Sequence, residues 1–400
     1  MKKHILFLFD YLEFGGGTRA LINMARALSK EHHIVVIAGV SDEYGSAEVL
    51  SELQKECRRV HTYRVSFNAS EIEILKQITF GVHQTLSQHV DLSSYDAVCI
   101  NLTRSGIPLL FQRNRARGKV ITIFHGAILL ERLSQYSQAQ IKAWSLLGRT
   151  RFWLLNTFLN HMQKMLISTS DEVLCYSQYS KDVLKSHLNS RSVHLIAPPA
   201  GSINRELTHT RASFGMRDDA VVVLINSRIE PRKGIHLAIE AAERICKKYG
   251  NVFFYVVGPS YHSDYFHQVF LSLRTKNLTG RFVFLGSTPH STLLQLIQLA
   301  DLTLMPSIQY ETFGFSTVES LLLGVPVIGF DSGATPEILR KIESHLLAEE
   351  LSADAIAHRI EWFISLSDKQ KHQLKEKARQ VVTATYNDHV FAEEFLKIIG

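Results

Sequence analysis

Short apolar, β-branched runs alternate with amphipathic helical periodicity along almost the whole chain, and this alternation restricts the fold more than any other feature. A run such as Ile5-Leu6-Phe7-Leu8-Phe9 has no polar alternation, so as a strand it must be covered on both faces. The same reasoning predicts strands near 4–9, 33–39, 96–101, 119–124, 171–176 and 193–197. A second series follows near 220–227, 252–258, 281–285, 301–305 and 325–330. Between them run helical patterns. Ala20, Leu21, Met24, Ala25 and Leu28 share one face of a helix over 19–28, and Ile235, Ala238, Ile239, Ala242 and Ile245 do so over 234–249, where Gly250 is the expected stop. Strand-helix repeats of this kind build parallel sheets with helices on both faces.

The two series are separated by Ala197-Pro-Pro-Ala-Gly and a polar stretch reaching Asp219, which reads as a linker. With 400 residues and domains of roughly 150, the expected architecture is α/β, with two doubly wound domains joined near residue 200. The segment after Tyr386 is a short amphipathic helix carrying Val390, Phe391, Phe395 and Ile398. Open sheets of this type take ligands beyond the carboxyl ends of their strands, so the cleft expected between two such edges is where chemistry is sought.

Composition removes several other classes. Hydrophobic residues at 46% and charged residues at 20% exclude a disordered chain. The excess of 44 Lys and Arg over 38 Asp and Glu is mild and compatible with anionic ligands. Cys57, Cys99, Cys175 and Cys246 form no CxxC pair, which argues against a disulfide framework or zinc site and for a reducing, cytoplasmic setting. Asp10 and Glu13 interrupt the apolar N-terminal run, so it reads as a buried strand and not a signal peptide. No run approaches 18 uninterrupted apolar residues. Asn68-Ala-Ser and Asn101-Leu-Thr match the glycosylation pattern, which carries meaning only in an exported chain.

Three constellations can carry chemistry. Gly15-Gly16-Gly17-Thr18 follows the opening strand at the start of a helix, where backbone amides can approach an anion; alone, such a loop is equally a structural turn. Arg228 and Lys233 flank the loop Ser227–Gly234 ahead of the next helix, a pair of cations suited to a diphosphate, although βα loops often carry solvated basic residues. Met305-Pro306-Ser307 ends a strand, Glu311 sits in the loop after it, and Glu319 lies on the helix expected to begin around Gly314. Gly324-Val-Pro326-Val follows.

Taken together, Arg228 to Gly234, Glu311-x7-Glu319 with Pro306-Ser307 before it, and Gly324-Val-Pro326-Val after it resemble the family 4 retaining glycosyltransferases of the GT-B fold. The resemblance is dense from about 220 to 338 and sparser in the first domain, where Gly16 and Gly17 fit. It implies two Rossmann-like doubly wound domains facing a central cleft. Residues 1–200 would form the acceptor side, with 386–400 packing back on it, and 201–385 would hold the nucleotide-sugar donor. It further implies that Arg228 and Lys233 neutralise the donor diphosphate, that Glu319 accepts bonds from the ribose hydroxyls and that Glu311 lies beside the transferred sugar. The amides of Gly314, Phe315 and Ser316 would meet phosphates and sugar, and Gly16 and Gly17 would close on the donor. His125, ending the strand Val120-Ile-Thr-Ile-Phe124, resembles the histidine that contacts the transferred sugar, against the alternative of a plain surface histidine. Ser227, Gly258-Pro-Ser, Ala334 and Pro198-Pro-Ala-Gly201 depart from the family pattern but leave its charged set intact.

The function so implied is a retaining, hexosyltransferase-type enzyme moving a sugar from a nucleotide-sugar, with a UDP-sugar first in line, to a lipid-linked or polymeric cell-envelope glycan. No cofactor is expected, and no DxD pair offers a divalent-metal site. The alternatives are a soluble or protein acceptor, a nucleotide-sugar epimerase and a non-catalytic GT-B binding subunit. The stretch 104–164 holds ten basic residues and one acid, Glu131, interleaved with Trp144, Phe152, Trp153 and Phe158. It reads either as a face for an anionic membrane, making the protein peripheral, or as a core helix with a solvated basic side; nucleic acid is not expected as a partner. The sequence does not specify an oligomeric state.

Overall fold

The computed structural model describes residues 1–13, 15–42, 46–134, 145–188, 192–201, 203, 206–260, 263–309 and 311–400. The chain divides into two compact units, Met1–Gly201 with Tyr386–Gly400, and Ser202–Thr385.

The first unit is built on seven parallel strands, β1 (His4–Tyr11), β2 (His33–Val40), β3 (Arg59–Arg64), β4 (Ala97–Ile100), β5 (Lys119–Ile123), β6 (Glu172–Cys175) and β7 (Val193–Leu195), in the order β3-β2-β1-β4-β5-β6-β7. The order reverses between β1 and β4, so the crevice for a ligand opens at their carboxyl ends. Ile5, Leu6, Phe7 and Leu8 of β1 are fully buried, which is why this run carries no polar alternation. The β1–β2 register slips between Phe9 and Tyr11, and Asp10 is the bulged residue. The strand β3 was not expected: as an edge strand it is half exposed, and its Arg-Val-His-Thr-Tyr-Arg sequence lacks an apolar run.

The helix Gly16–Ser29 buries the expected face of Ala20, Leu21, Met24, Ala25 and Leu28. The closing helix Asp388–Ile399 packs against it. Its first turn is capped by Asn387, whose side chain accepts from the Val390 amide at 2.8 Å. Lys119 Nζ donates to the Ile398 carbonyl at 2.6 Å, and the Ala200 amide to the Tyr386 carbonyl at 2.9 Å.

The second unit holds six parallel strands, β8 (Val221–Asn226), β9 (Val252–Val257), β10 (Phe282–Gly286), β11 (Leu302–Met305), β12 (Val327–Phe330) and β13 (Leu347–Ala348), in the order β10-β9-β8-β11-β12-β13. Here the reversal falls between β8 and β11. Val222, Leu224, Tyr255 and Val257 join Leu296 and Ile297 in one core on one side of the sheet. The helix Ile235–Lys248 is followed by Tyr249 in an extended conformation, and Gly250 is not among the left-handed glycines. The expected glycine stop is therefore corrected: the helix simply leads into β9.

Candidate functional site

In the second unit, the loop after β8 is shaped by glycines that nothing larger could replace. The Ser227 amide donates to the Val257 carbonyl at 3.0 Å, and a Cβ on Gly258 would lie 2.1 Å from the Ser227 carbonyl oxygen. Beyond Arg228 the chain makes a short turn over Pro231–Lys233 and then enters the left-handed region at Gly234, with φ of 67°. A Cβ there would stand 1.9 Å from the Pro306 carbonyl oxygen. Gly234 thus lets the β8 loop lie directly on the β11 loop, and the Ile308 amide donates to the Arg232 carbonyl at 2.9 Å to join them.

That contact brings Lys233 and Glu311 together across 78 residues of sequence: Lys233 Nζ donates to Glu311 Oε2 at 2.7 Å, and the Ser307 hydroxyl approaches the same oxygen at 3.3 Å. Their side chains are only 11% and 17% exposed. Burial alone pushes the Glu311 carboxyl up, but the Lys233 charge and hydrogen bond, with Arg232 and Ser307, outweigh it and hold the carboxyl below its ordinary range. The Glu311 carbonyl is fixed in turn by the Ala334 amide at 2.8 Å, and a Cβ on Gly333 would lie 2.7 Å from that carbonyl oxygen. Nearby, Glu230 is buried between Arg232 at 2.6 Å and Arg228 at 3.4 Å. Of these five side chains Arg228, 35% exposed, is the most open to solvent.

Gly314, with φ of 96°, caps the helix Phe315–Leu322, whose first turn has neither an acid nor a side-chain cap. Its amide end, which includes Phe315 and Ser316, presents the positive end of the helix dipole, with the Glu311 side chain beside Gly314. Glu319 lies one turn further in and accepts from His290 Nε2 at 2.9 Å. His290 opens the helix His290–Leu299 after β10.

In the first unit, Gly15 and Gly16 are exposed after β1, where the helix Gly16–Ser29 starts with no side-chain cap. A Cβ on Gly15 would meet nothing within 4 Å, and on Gly17 only Phe9 at 3.9 Å. The glycines at 39 and 118 differ: a Cβ there would come within 2.6 and 2.3 Å of neighbours. Internal packing explains the latter pair and does not explain Gly15 or Gly17. At the carboxyl end of β5, His125 Nε2 bonds the Asn101 carboxamide oxygen at 2.7 Å, and its ring meets the edge of Tyr176 at 5.5 Å. Burial pushes the imidazole down to about 4, so it is neutral at pH 7. Asp10, on its bulge, accepts from the Ser105 amide at 2.7 Å; burial pushes its carboxyl up against the pull of Arg104.

The structure thus brings Arg228, Lys233 and Glu311 into one cluster and sets Glu319 and the Gly314–Ser316 turn on the helix after it. It also puts Gly16, Gly17 and His125 at the carboxyl edge of the other sheet. Sequence reasoning missed Glu230, Arg232, His290, Asp10 and Asn101. Asn101 is fully buried at the end of β4, so its glycosylation sequence pattern is fortuitous.

Two family models match the chain, one described as Glycosyltransferase Family 4 over residues 14–200 and one as Glycosyl transferases group 1 over 208–381. A lipopolysaccharide 1,2-N-acetylglucosaminetransferase of Salmonella typhimurium is 27% identical over 59% of this chain and 64% of its own length. A phosphatidylinositol N-acetylglucosaminyltransferase component of Arabidopsis thaliana is 27% identical over 52% of this chain and 45% of its own. The chain therefore spans between about half and two thirds of these relatives. Among solved structures, Anabaena HepE in complex with UDP and glucose superposes with a TM-score of 0.72 at 20% identity, covering 99% of both chains. Sucrose-phosphate synthase from Thermosynechococcus elongatus reaches 0.76 at 19% identity, covering 100% of this chain and 98% of its own. Those likenesses establish the GT-B fold, and with the family models covering both units, the chain belongs to family 4 of the glycosyltransferases.

Proposed function

We propose that the protein transfers a sugar from a nucleotide-sugar, a UDP-sugar in the first instance, to a lipid-linked or polymeric glycan of the cell envelope, with retention of anomeric configuration. The observation that carries this reading is the cation cluster at the β8/β11 reversal, where Arg228 stands beside Glu230 and Lys233 beside Glu311. Support for the donor comes from the UDP and UDP-glucose complexes of HepE, and for the acceptor from the lipopolysaccharide and phosphatidylinositol in the relatives' names.

Breaking an anomeric bond to a diphosphate places negative charge on the leaving group and positive charge on the sugar. Arg228, about one third exposed, meets the incoming diphosphate, and Lys233 turns to it from Glu311. The ion pair keeps Lys233 ordered beforehand, so little side-chain entropy is lost when the phosphate takes it. Glu311, released, faces the sugar as a carboxylate. His125, held neutral, donates through Nε2 to Asn101 and offers Nδ1 as an acceptor for a sugar hydroxyl. Gly15 to Gly17 leave room for a ligand against the helix start. No metal or cofactor takes part in this scheme.

The test is a panel of UDP-, GDP-, ADP- and dTDP-sugars incubated with the protein in EDTA, with released nucleotide quantified. Slow hydrolysis of one donor is expected. Binding without turnover, even with envelope glycans added, favours a non-catalytic role, and no binding to any donor overturns the reading.

A further inference from the structure

The helix Leu146–Thr169 carries two apolar stripes where a surface helix needs one. Phe152, Asn156, Leu159, Gln163 and Leu166 are buried, and the helix packs on its neighbour Thr103–Leu110. On the other side Leu147, Leu154, Phe158 and Met165 are exposed at 70, 66, 44 and 36%. Arg151 and His161, also exposed, complete the same four-three spacing. At a rise of 1.5 Å per residue, this outer stripe is ~27 Å long. Residues 145–170 contain Arg149, Arg151 and Lys164 and no Asp or Glu. Phe111 is 80% exposed at the end of the neighbouring helix, close in sequence to the exposed Arg115 and Arg117.

From sequence, 104–164 is one basic face; the structure divides it. Arg113 pairs with Asp171, Lys119 with Glu172 and Arg132 with Glu71, so these cations balance neighbouring acids. Lys142 and Trp144 lie outside the described residues. Arg104 faces Asp10, and Arg149 falls on the buried stripe with its Nε shielded from solvent. What is left is Arg115 and Arg117, close in sequence to Phe111, and a helix whose outer face is apolar and carries Arg151, with Lys164 on its flank.

We infer that this face lies in the interface of an anionic bilayer, an interaction beyond the proposed transfer reaction. Leu147, Leu154, Phe158 and Met165 enter the boundary between headgroups and acyl chains, and Arg151 and Lys164 meet the lipid phosphates. A patch this apolar is unfavourable in water. A second copy of the chain is a poor occupant, because a two-fold contact would set these cations against their own images with no carboxylate between them. Among the described residues no helix is long and apolar enough to cross a membrane, so the attachment is lateral.

The experiment is co-sedimentation of the full chain with vesicles of phosphatidylcholine alone and of phosphatidylcholine mixed with phosphatidylglycerol. The protein is expected to sediment with the mixed vesicles and to be released by salt. Each Arg or Lys replaced by Gln is expected to weaken binding about fivefold, so Arg151→Gln and Lys164→Gln together weaken it about 25-fold. Leu154→Ser with Phe158→Ser, both exposed positions, is expected to abolish binding while leaving thermal unfolding and donor hydrolysis unchanged. Equal behaviour of wild type and both variants overturns the inference, as does a soluble wild type in both vesicle types. Dimeric sedimentation without lipid that the Leu154→Ser, Phe158→Ser variant converts to monomer also overturns it, by giving the face to a second copy. Donor hydrolysis is read separately, so loss of the proposed activity and loss of membrane binding are distinguishable.

Discussion

Replacing Lys233 by alanine separates the structural part of the Lys233–Glu311 pair from its part in turnover. Both side chains are largely buried and meet at 2.7 Å, so the variant strands a carboxylate with the Ser307 hydroxyl beside it. Removing one partner of a buried pair costs about 3–5 kcal/mol, and the partial exposure here favours about 3. The native Glu311 carboxyl is held below its unfolded range, so its stabilisation is complete above that range and is lost as pH falls through the lower, folded value. In Lys233→Ala the burial effect stands with its chief opponent gone. The carboxyl then rises, and the destabilisation is greatest near pH 7 and shrinks as acid neutralises Glu311. Urea unfolding of wild type, Lys233→Ala, Glu311→Gln and the double variant at pH 7 and at pH 4 reads this directly. The double variant should recover most of the stability at pH 7, because no charge is left unpaired. Its turnover should stay reduced by about 10²–10³, the usual loss for one stabiliser of transition-state charge. Wild-type stability in Lys233→Ala at pH 7, or a double variant less stable than either single one, refutes the argument.

Arg228→Ala should lower turnover with the selected donor by about 10²–10³ and change urea stability little, since Arg232 still pairs with Glu230 at 2.6 Å; unaltered turnover with donor bound removes Arg228 from the diphosphate site. Gly234→Ala should cost about 3 kcal/mol or fail to fold, because the residue combines a left-handed backbone with a Cβ in contact with the Pro306 carbonyl; a melting curve matching wild type counts against the loop contact. His125 should titrate near 4 by proton NMR. Since its folded value lies below the unfolded one, its burial takes stability away as pH falls from the ordinary histidine range toward 4, and a midpoint near 6.5 contradicts its buried setting.

The strands that proved easiest to read are those buried on both faces. Ile5 to Phe9 and Val221 to Ile225 contain no polar residue, and only a covered parallel strand tolerates that. The strand β3 escaped because an edge strand needs no apolar face, and β13 escaped because two residues carry no period. Gly250 misled because a glycine after a helix can be mere connection, whereas Gly234 and Gly314 do take up the left-handed backbone. Around the site, residue types and their positions on strand ends were legible, but their pairings were not. Lys233 meets Glu311 only because Gly234 admits the Pro306 carbonyl, and no local pattern encodes a contact 78 residues apart. His290 is one of 19 histidines, and only the folded sheet brings it to Glu319. Asn101 looked like a surface sequence pattern because burial is a property of the fold.

The central claim is that the β8 and β11 loops of the second unit bind a diphosphate. Calorimetric titration of UDP and GDP against their parent nucleosides, on wild type and Arg228→Ala, tests it most directly. One diphosphate should bind wild type at least tenfold more tightly than its nucleoside, and the advantage should largely disappear in Arg228→Ala. Equal affinity for nucleoside and diphosphate, or an advantage untouched by the substitution, would contradict it.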